Sequence, residues 1–247
     1  MSGHSKWANI KHRKSAQDAR RSKLFSKLSR EIEIAIKEGG ADPEFNPRLR
    51  AAIQNAKSAN MPKDNIERAI NKATKSPSNL QEVTFEGYGP GGVAIFVEAL
   101  TDNNNRTVSA VRAVFNKRGG SLEKRGSLSF IFDRKGIFRV PKGDIDPEEF
   151  ELEVIDAGAE DIELVDGFYI ITTSFEDFGK MQKKLDELGI NPESSELERI
   201  PTTTKEVDAE TAKKVLRMVD ELEDNDDVQK VYHNMELTDE IEQMLAE

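Results

Sequence analysis

No cysteine occurs in the 247 residues. That excludes disulfides and thiolate-held zinc or iron–sulfur centres, and it suits a reducing compartment. Histidine is nearly absent as well. His4, His12 and His233 are the full set, and none pairs with another at the spacing of a helix-borne metal site. The chain lacks GxxxxGK[ST] and GxSxG, so it offers no phosphate loop or nucleophile elbow. No apolar run approaches the roughly 18 residues of a membrane span. The start has no apolar core of a secretory signal. Its basic, Ser-rich and acid-poor character suits a transit peptide, but the segment runs straight into a patterned helix, which argues against one. These absences lead to the expectation of a non-enzyme without cofactor or metal, located in the cytoplasm, monomeric, with no membrane partner.

Charge, by contrast, is plentiful and unevenly placed. Asp, Glu, Lys and Arg make up 33% of the chain, against about 25% in ordinary globular domains. The formal net charge of -10 hides a basic front and an acidic back. Residues 1–75 hold 17 basic and 8 acidic side chains, net +9; residues 76–142 are net +4; residues 143–247 are net -23. The first thirty residues alone carry nine cations against Asp18. Such asymmetry points to a polyanion for the basic part and leaves a basic protein partner open for the acidic part.

The apolar pattern divides the chain. Residues 1–14 have no helical period and read as a basic arm. Residues 15–79 carry three helical stripes: Leu24, Phe25, Leu28, Ile32, Ala35 and Ile36; then Leu49, Ala52, Ile53 and Ala56; then Ile66, Ala69, Ile70 and Ala73. Gly39-Gly40 stops the first, Asn46-Pro47 caps the second, and Pro62 opens the third. After the linker at Lys75–Asn79 the period changes. Strands are predicted at Val83–Tyr88, Val93–Ala99 and Ser127–Phe132, around a helix at Arg106–Lys117. Residues 135–200 then read β-α-β-β-α-β, the ferredoxin-like order. A strand near 199–206, a helix at 208–223 and a strand at Val228–His233 follow. The economical architecture is multidomain α and α+β. It has an N-terminal three-helix domain and two ferredoxin-like α+β domains, with 135–200 inserted into one split between 80–134 and 201–247.

The positive functional signal is for nucleic acid. Lys6, Lys11, Arg13, Lys14, Arg20, Arg21, Lys23 and Lys27 can neutralise phosphates and release counterions. Trp7, the only tryptophan, either stacks on a base or tucks the arm onto another domain. His12 either touches nucleic acid or is polar surface. Arg48, Arg50 and Lys57 lie off the apolar stripe of the second helix; they extend the cationic face or simply meet solvent. A second basic zone comprises Arg106, Arg112, Lys117, Arg118, Lys124, Arg125, Arg134 and Lys135. The third helix mixes Asn65, Arg68, Asn71 and Lys72 with Asp64 and Glu67, which makes a poor DNA-recognition face. Tyr88–Gly92 reads as a turn needing positive φ, with close approach of a partner as the other reading. Phe130-Ile131-Phe132 reads as core.

Four stretches, GHSKWANIKHRKSAQDARRSKLFSKLSREI, NPRLRAAIQNAKSANMPKDNIERAI, EGYGPGGVAIFVEALTDNNNRT and DDVQKVYHN, resemble the YebC family, whose mitochondrial relatives are described as translational activators of cytochrome c oxidase. The resemblance runs from Gly3 to Asn234. It implies an N-terminal helical domain with two α+β domains, and a cytoplasmic, non-enzymatic regulator of gene expression. Bacterial members are commonly labelled DNA-binding transcriptional regulators. The alternative it implies is a ribosome-associated translation factor holding ribosomal or transfer RNA. It names no catalytic residues.

Overall fold

The structure, a computed structural model, describes residues 18–76, 79–238, 240, 241 and 243. Among these residues it contains seven named helices and two four-stranded sheets, distributed over two compact units. One unit joins the three N-terminal helices to Arg134–Glu198; the other joins Asn79–Asp133 to the chain from Arg199 onward.

The helices of the first unit are α1 (Asp18–Gly39), α2 (Pro47–Ser58) and α3 (Lys63–Lys75). Their stripes meet in one cluster of Ile32, Ala35, Ile36, Leu49, Ala52, Ala56, Met61, Ile66, Ala69 and Ala73. Small residues at the contacts allow three short helices to pack closely. Asn46 organises the first corner. Its Oδ1 accepts from the Leu49 N–H at 3.0 Å, capping α2, and its Nδ2 donates to the carbonyls of Ala35 and Gly40 at 2.7 and 2.8 Å. One buried side chain thus satisfies orphan groups of two helix ends. Pro47 follows at the first helical position, where no amide hydrogen is needed.

The same unit contains β4 (Phe132–Pro141), α5 (Pro147–Asp156), β5 (Ala159–Val165), β6 (Phe168–Ser174), α6 (Phe178–Glu187) and β7 (Ser194–Pro201). The sheet order is β5-β6-β4-β7, the ferredoxin arrangement expected from β-α-β-β-α-β. Asp166 and Gly167, at φ 49° and 81°, make the tight β5–β6 turn. Phe138, Val140, Tyr169 and Ile171 form one face of the sheet and pack with Phe150, Val154, Phe178, Met181 and Leu185 of the helices. Ala51 of α2 joins this core. Asn55 of α2 mimics a strand neighbour. Its Nδ2 donates to the Ser195 carbonyl at 2.8 Å, and its Oδ1 accepts from the Ser195 N–H at 2.9 Å.

The second unit is built on β1 (Gln81–Tyr88), β2 (Ala94–Thr101), β3 (Ser121–Leu122) and β8 (Val228–His233), with α4 (Asn104–Lys117) and α7 (Ala209–Glu223). Its order is β3-β1-β2-β8, with the antiparallel β1–β2 hairpin at the centre. The segment Ser127–Phe132, predicted as a strand, instead bends and forms a 3-10 turn at Ser129–Ile131. The reason is a second apolar surface. Leu128, Ile131 and Phe132 cover Ala94 and Phe96 of β2 and Tyr232 of β8. Residues near 199–206, also predicted as a strand of this half, end β7 at Pro201 and then contribute only a bridge from Lys205 to Met235.

The Tyr88–Gly92 stretch is a turn with Gly91 and Gly92 at φ 69° and 74°. A methyl group on Gly91 would lie 2.7 Å from Thr211 Cγ2 and 3.0 Å from Val207 Cγ1. The close approach is therefore to the chain's own α7 region.

Candidate nucleic-acid interface

Of the predicted contact residues, Lys6, Trp7, Lys11, His12, Arg13 and Lys14 lie outside the described residues. The others fall on two helices. Arg20 lies in the first turn of α1; at about 100° per residue, positions 23, 27 and 30 of the same helix share an arc of roughly 60°. The apolar stripe from Phe25 to Ile36 is centred on the opposite side. Arg30 belongs to this row by spacing, three residues beyond Lys27, although the sequence reading did not single it out. Arg21 lies off the row, on the side of the apolar stripe. It is exposed, with its guanidinium 5.5 Å from the centroid of the Phe25 ring. Lys23 is exposed and Lys27 half-buried. The helix that anchors the three-helix core thus carries a cationic ridge on its other face.

On α2 the geometry separates the three candidates. Arg48 donates from Nε to Glu31 at 2.7 Å and from Nη1 to Glu38 at 2.6 Å. Arg50 donates to the carbonyls of Pro43 and Glu44 at 3.0 and 2.8 Å, and its Nη1 lies 3.5 Å from Asp186. Both guanidiniums hold the α1–α2 corner. Lys57 is exposed in the last turn. Arg50 and Lys57 also border a small cavity of about 210 Å³ with Ile53, Gln54, Gln182 and Pro192. That is less than the roughly 300–1,000 Å³ of sites for drug-sized ligands.

The second basic zone divides between the units. Arg134 lies 4.4 Å over the Phe175 ring and Lys135 pairs with Glu160 at 2.7 Å, both in the first unit. In the second unit Arg106 is held by Asp102 and Asp227, while Lys117 and Arg118 both grip Glu221 at 2.6 Å. Arg112, Lys124 and Arg125 are exposed.

The displaced protonation equilibria belong to ion pairs and caps. Hydrogen bonds from Lys117 and then Arg118 hold the Glu221 carboxyl below the usual carboxylate range. The backbone N–H of Thr211 does the same for Asp208, the cap of α7. Asp227, followed by Asp102, raises the Arg106 guanidinium. A depressed carboxyl contributes stability that is present above its unfolded pKa and is lost as pH falls through the folded value. Glu221→Gln is therefore expected to reduce the melting temperature at neutral pH and to converge on the parent protein as pH falls below about 4. A difference that stays constant across an acid titration would overturn this assignment. His233 is buried, and its Nδ1 accepts from the Met235 N–H at 3.2 Å. Among the described residues no group of three or more His, Asp or Glu is placed to hold a metal ion, and no helix is long and apolar enough to cross a membrane.

A three-helix domain joined to two α+β domains, with a cationic helix ridge, defines the class: a small multidomain protein with a basic front. Two family models match consecutive parts of the chain. The TACO1/YebC N-terminal domain matches residues 5–76, and the TACO1/YebC second and third domain matches 80–235. The chain belongs to the TACO1/YebC family. A relative from Amoebophilus asiaticus is 56% identical over 95% of this chain and 98% of its own length. One from Persephonella marina is 51% identical over 98% of each. Both are named probable transcriptional regulatory protein. The crystal structure of a conserved hypothetical protein from Aquifex aeolicus superposes with a TM-score of 0.79 at 47% identity, covering 89% of this chain and 91% of that one.

Proposed function

We propose that the protein is a non-catalytic, nucleic-acid-binding regulator of gene expression, and that its primary role is that of a DNA-binding transcriptional regulator. The observation that carries this reading is the α1 row at positions 23, 27 and 30, which belongs to a segment of nine cations in thirty residues. Such a row follows a phosphate backbone, and its affinity comes from counterion release. The names of the relatives support the transcriptional role.

A second reading, a ribosome-associated translation factor on ribosomal or transfer RNA, is favoured by α3. That helix is the natural reading head of a three-helix DNA binder, yet Asp64 stands in its first turn and Glu67 pairs with Lys63 at 3.5 Å. Carboxylates there oppose entry into a groove walled by phosphates. In-cell crosslinking followed by sequencing of the attached nucleic acid separates the two. Discrete promoter fragments are expected for the transcriptional role; ribosomal or transfer RNA would replace it with the translational one. Recovery of neither would sink both.

A further inference from the structure

The connection between β3 and β4 is held with unusual thoroughness for a surface loop. Glu86 of β1 is 2% exposed, and its carboxylate accepts from the backbone N–H of Gly126 at 2.7 Å and of Leu128 at 2.6 Å. The Glu86 carbonyl accepts from the Glu123 N–H at 2.8 Å. Two turns follow, with Ser127 N–H bonded to the Lys124 carbonyl at 3.1 Å and Ile131 N–H to the Leu128 carbonyl at 2.9 Å. Leu128 and Ile131 are plugged into the apolar cluster on the sheet. The Thr202 N–H donates to the Ile131 carbonyl at 2.8 Å.

What this scaffold displays is chemically specific. Between buried Leu128 and buried Ile131, Phe130 is 74% exposed, contrary to the expectation that it is core. Lys124 and Arg125 are exposed on the adjoining turn. Six residues span at most roughly 20 Å when extended, and the two turns shorten that distance. An exposed aromatic ring within six residues of two exposed cations, on a loop whose conformation is already fixed, matches the needs of an unstacked base flanked by phosphates. Fixing the loop in advance also lowers the ordering cost of binding.

We propose that this loop is a stacking site for unpaired nucleotides. Phe130 takes a base face, and Lys124 and Arg125 take neighbouring phosphates. The inference rests on the nucleic-acid reading above and adds a preference for single-stranded over duplex segments. Phe130 contributes little to the core, so its truncation leaves the fold intact.

The test uses the full chain and a labelled mixed-sequence single-stranded RNA, with the same sequence as a duplex for comparison. Phe130→Ala is expected to weaken single-strand binding roughly tenfold, the scale of one aromatic–base stack, and to leave duplex binding unchanged. Phe130→Trp is expected to retain single-strand affinity. Lys124→Ala with Arg125→Ala is expected to lower the single-strand salt slope by about 1.4. Parent-like single-strand binding by Phe130→Ala, or an equal loss on both probes, would overturn the loop's role while leaving the general reading in place. A parent protein that binds neither probe, nor the same sequences as DNA, would overturn the general reading as well.

Discussion

Asp227→Ala is expected to lower unfolding stability by about 2 kcal/mol, within the range for losing hydrogen bonds to a buried charged group. Asp227 sits just before β8 with its side chain 5% exposed. Its Oδ2 accepts from Thr107 Oγ1 at 2.8 Å, from Arg106 Nε at 3.1 Å and from Arg106 Nη2 at 2.8 Å; Thr101 Oγ1 lies 3.4 Å away. Thr107 Oγ1 and Thr101 Oγ1 are 2.8 Å apart. Each hydroxyl has one proton, so the consistent chain runs from Thr101 to Thr107 to the carboxylate. Asn103 N–H donates into it at Thr101 Oγ1, 2.9 Å away. Removing the carboxylate takes its charged acceptor from the Thr107 hydroxyl, at a residue with 0% exposure, and leaves it the Asn103 carbonyl at 3.1 Å; a hydrogen bond to a charged group contributes about 1.5–3 kcal/mol. Arg106 is half-exposed, which lets it rehydrate and keeps the total at the low end. The backbone bond from Leu100 N–H to the Asp227 carbonyl, 2.8 Å, survives. Asp227→Asn retains an acceptor and is expected to fall between the two. Urea unfolding checks this; an alanine variant within about 0.5 kcal/mol of the parent would show that the network is not cooperative.

This network also shows where reading the sequence stops. TDNNNRT announces a helix start, and Asn103 does cap α4 by accepting from the Arg106 N–H. Nothing local reveals that its Thr and Arg converge on a residue some 120 positions later. The helical stripes, the Asn46-Pro47 cap and the β-α-β-β-α-β run were legible because each depends on neighbours within a few residues. Arg48 looked like a surface cation, but Glu31 and Glu38, brought alongside by the α1–α2 corner, engage it. Ser127–Phe132 has strand-like apolar content, yet the same content serves a turn that covers a sheet face. Period alone cannot separate those uses. Phe130 shows the reverse difficulty. A phenylalanine among apolar residues reads as core, and only the Glu86 clamp, reaching 40 residues along the chain, turns it outward. For the candidate interface, charge density located the region, but which cations are engaged internally depends on tertiary pairing.

Lys11, Arg13 and Lys14 changed together to alanine are expected to weaken nucleic-acid binding on the order of a hundredfold at about 0.1 M salt and to reduce the slope of log K against log salt by about 2–3. Each phosphate contact releases roughly 0.9 counterion equivalents from a duplex and 0.7 from a single strand, so three lost contacts set both numbers. The informative contrast is Arg48→Ala. Equal removal of positive charge there eliminates the ion pairs to Glu31 and Glu38. It leaves two carboxylates on α1 without that partner, so stability is expected to fall while the number of phosphate contacts stays the same. The binding slope of that variant should therefore match the parent, with only a modest loss of affinity from long-range repulsion that fades with salt. If the triple variant keeps the parent slope, the N-terminal segment does not hold phosphate. If Arg48→Ala flattens the slope as much as the triple variant does, net charge governs binding and the assigned contacts do not.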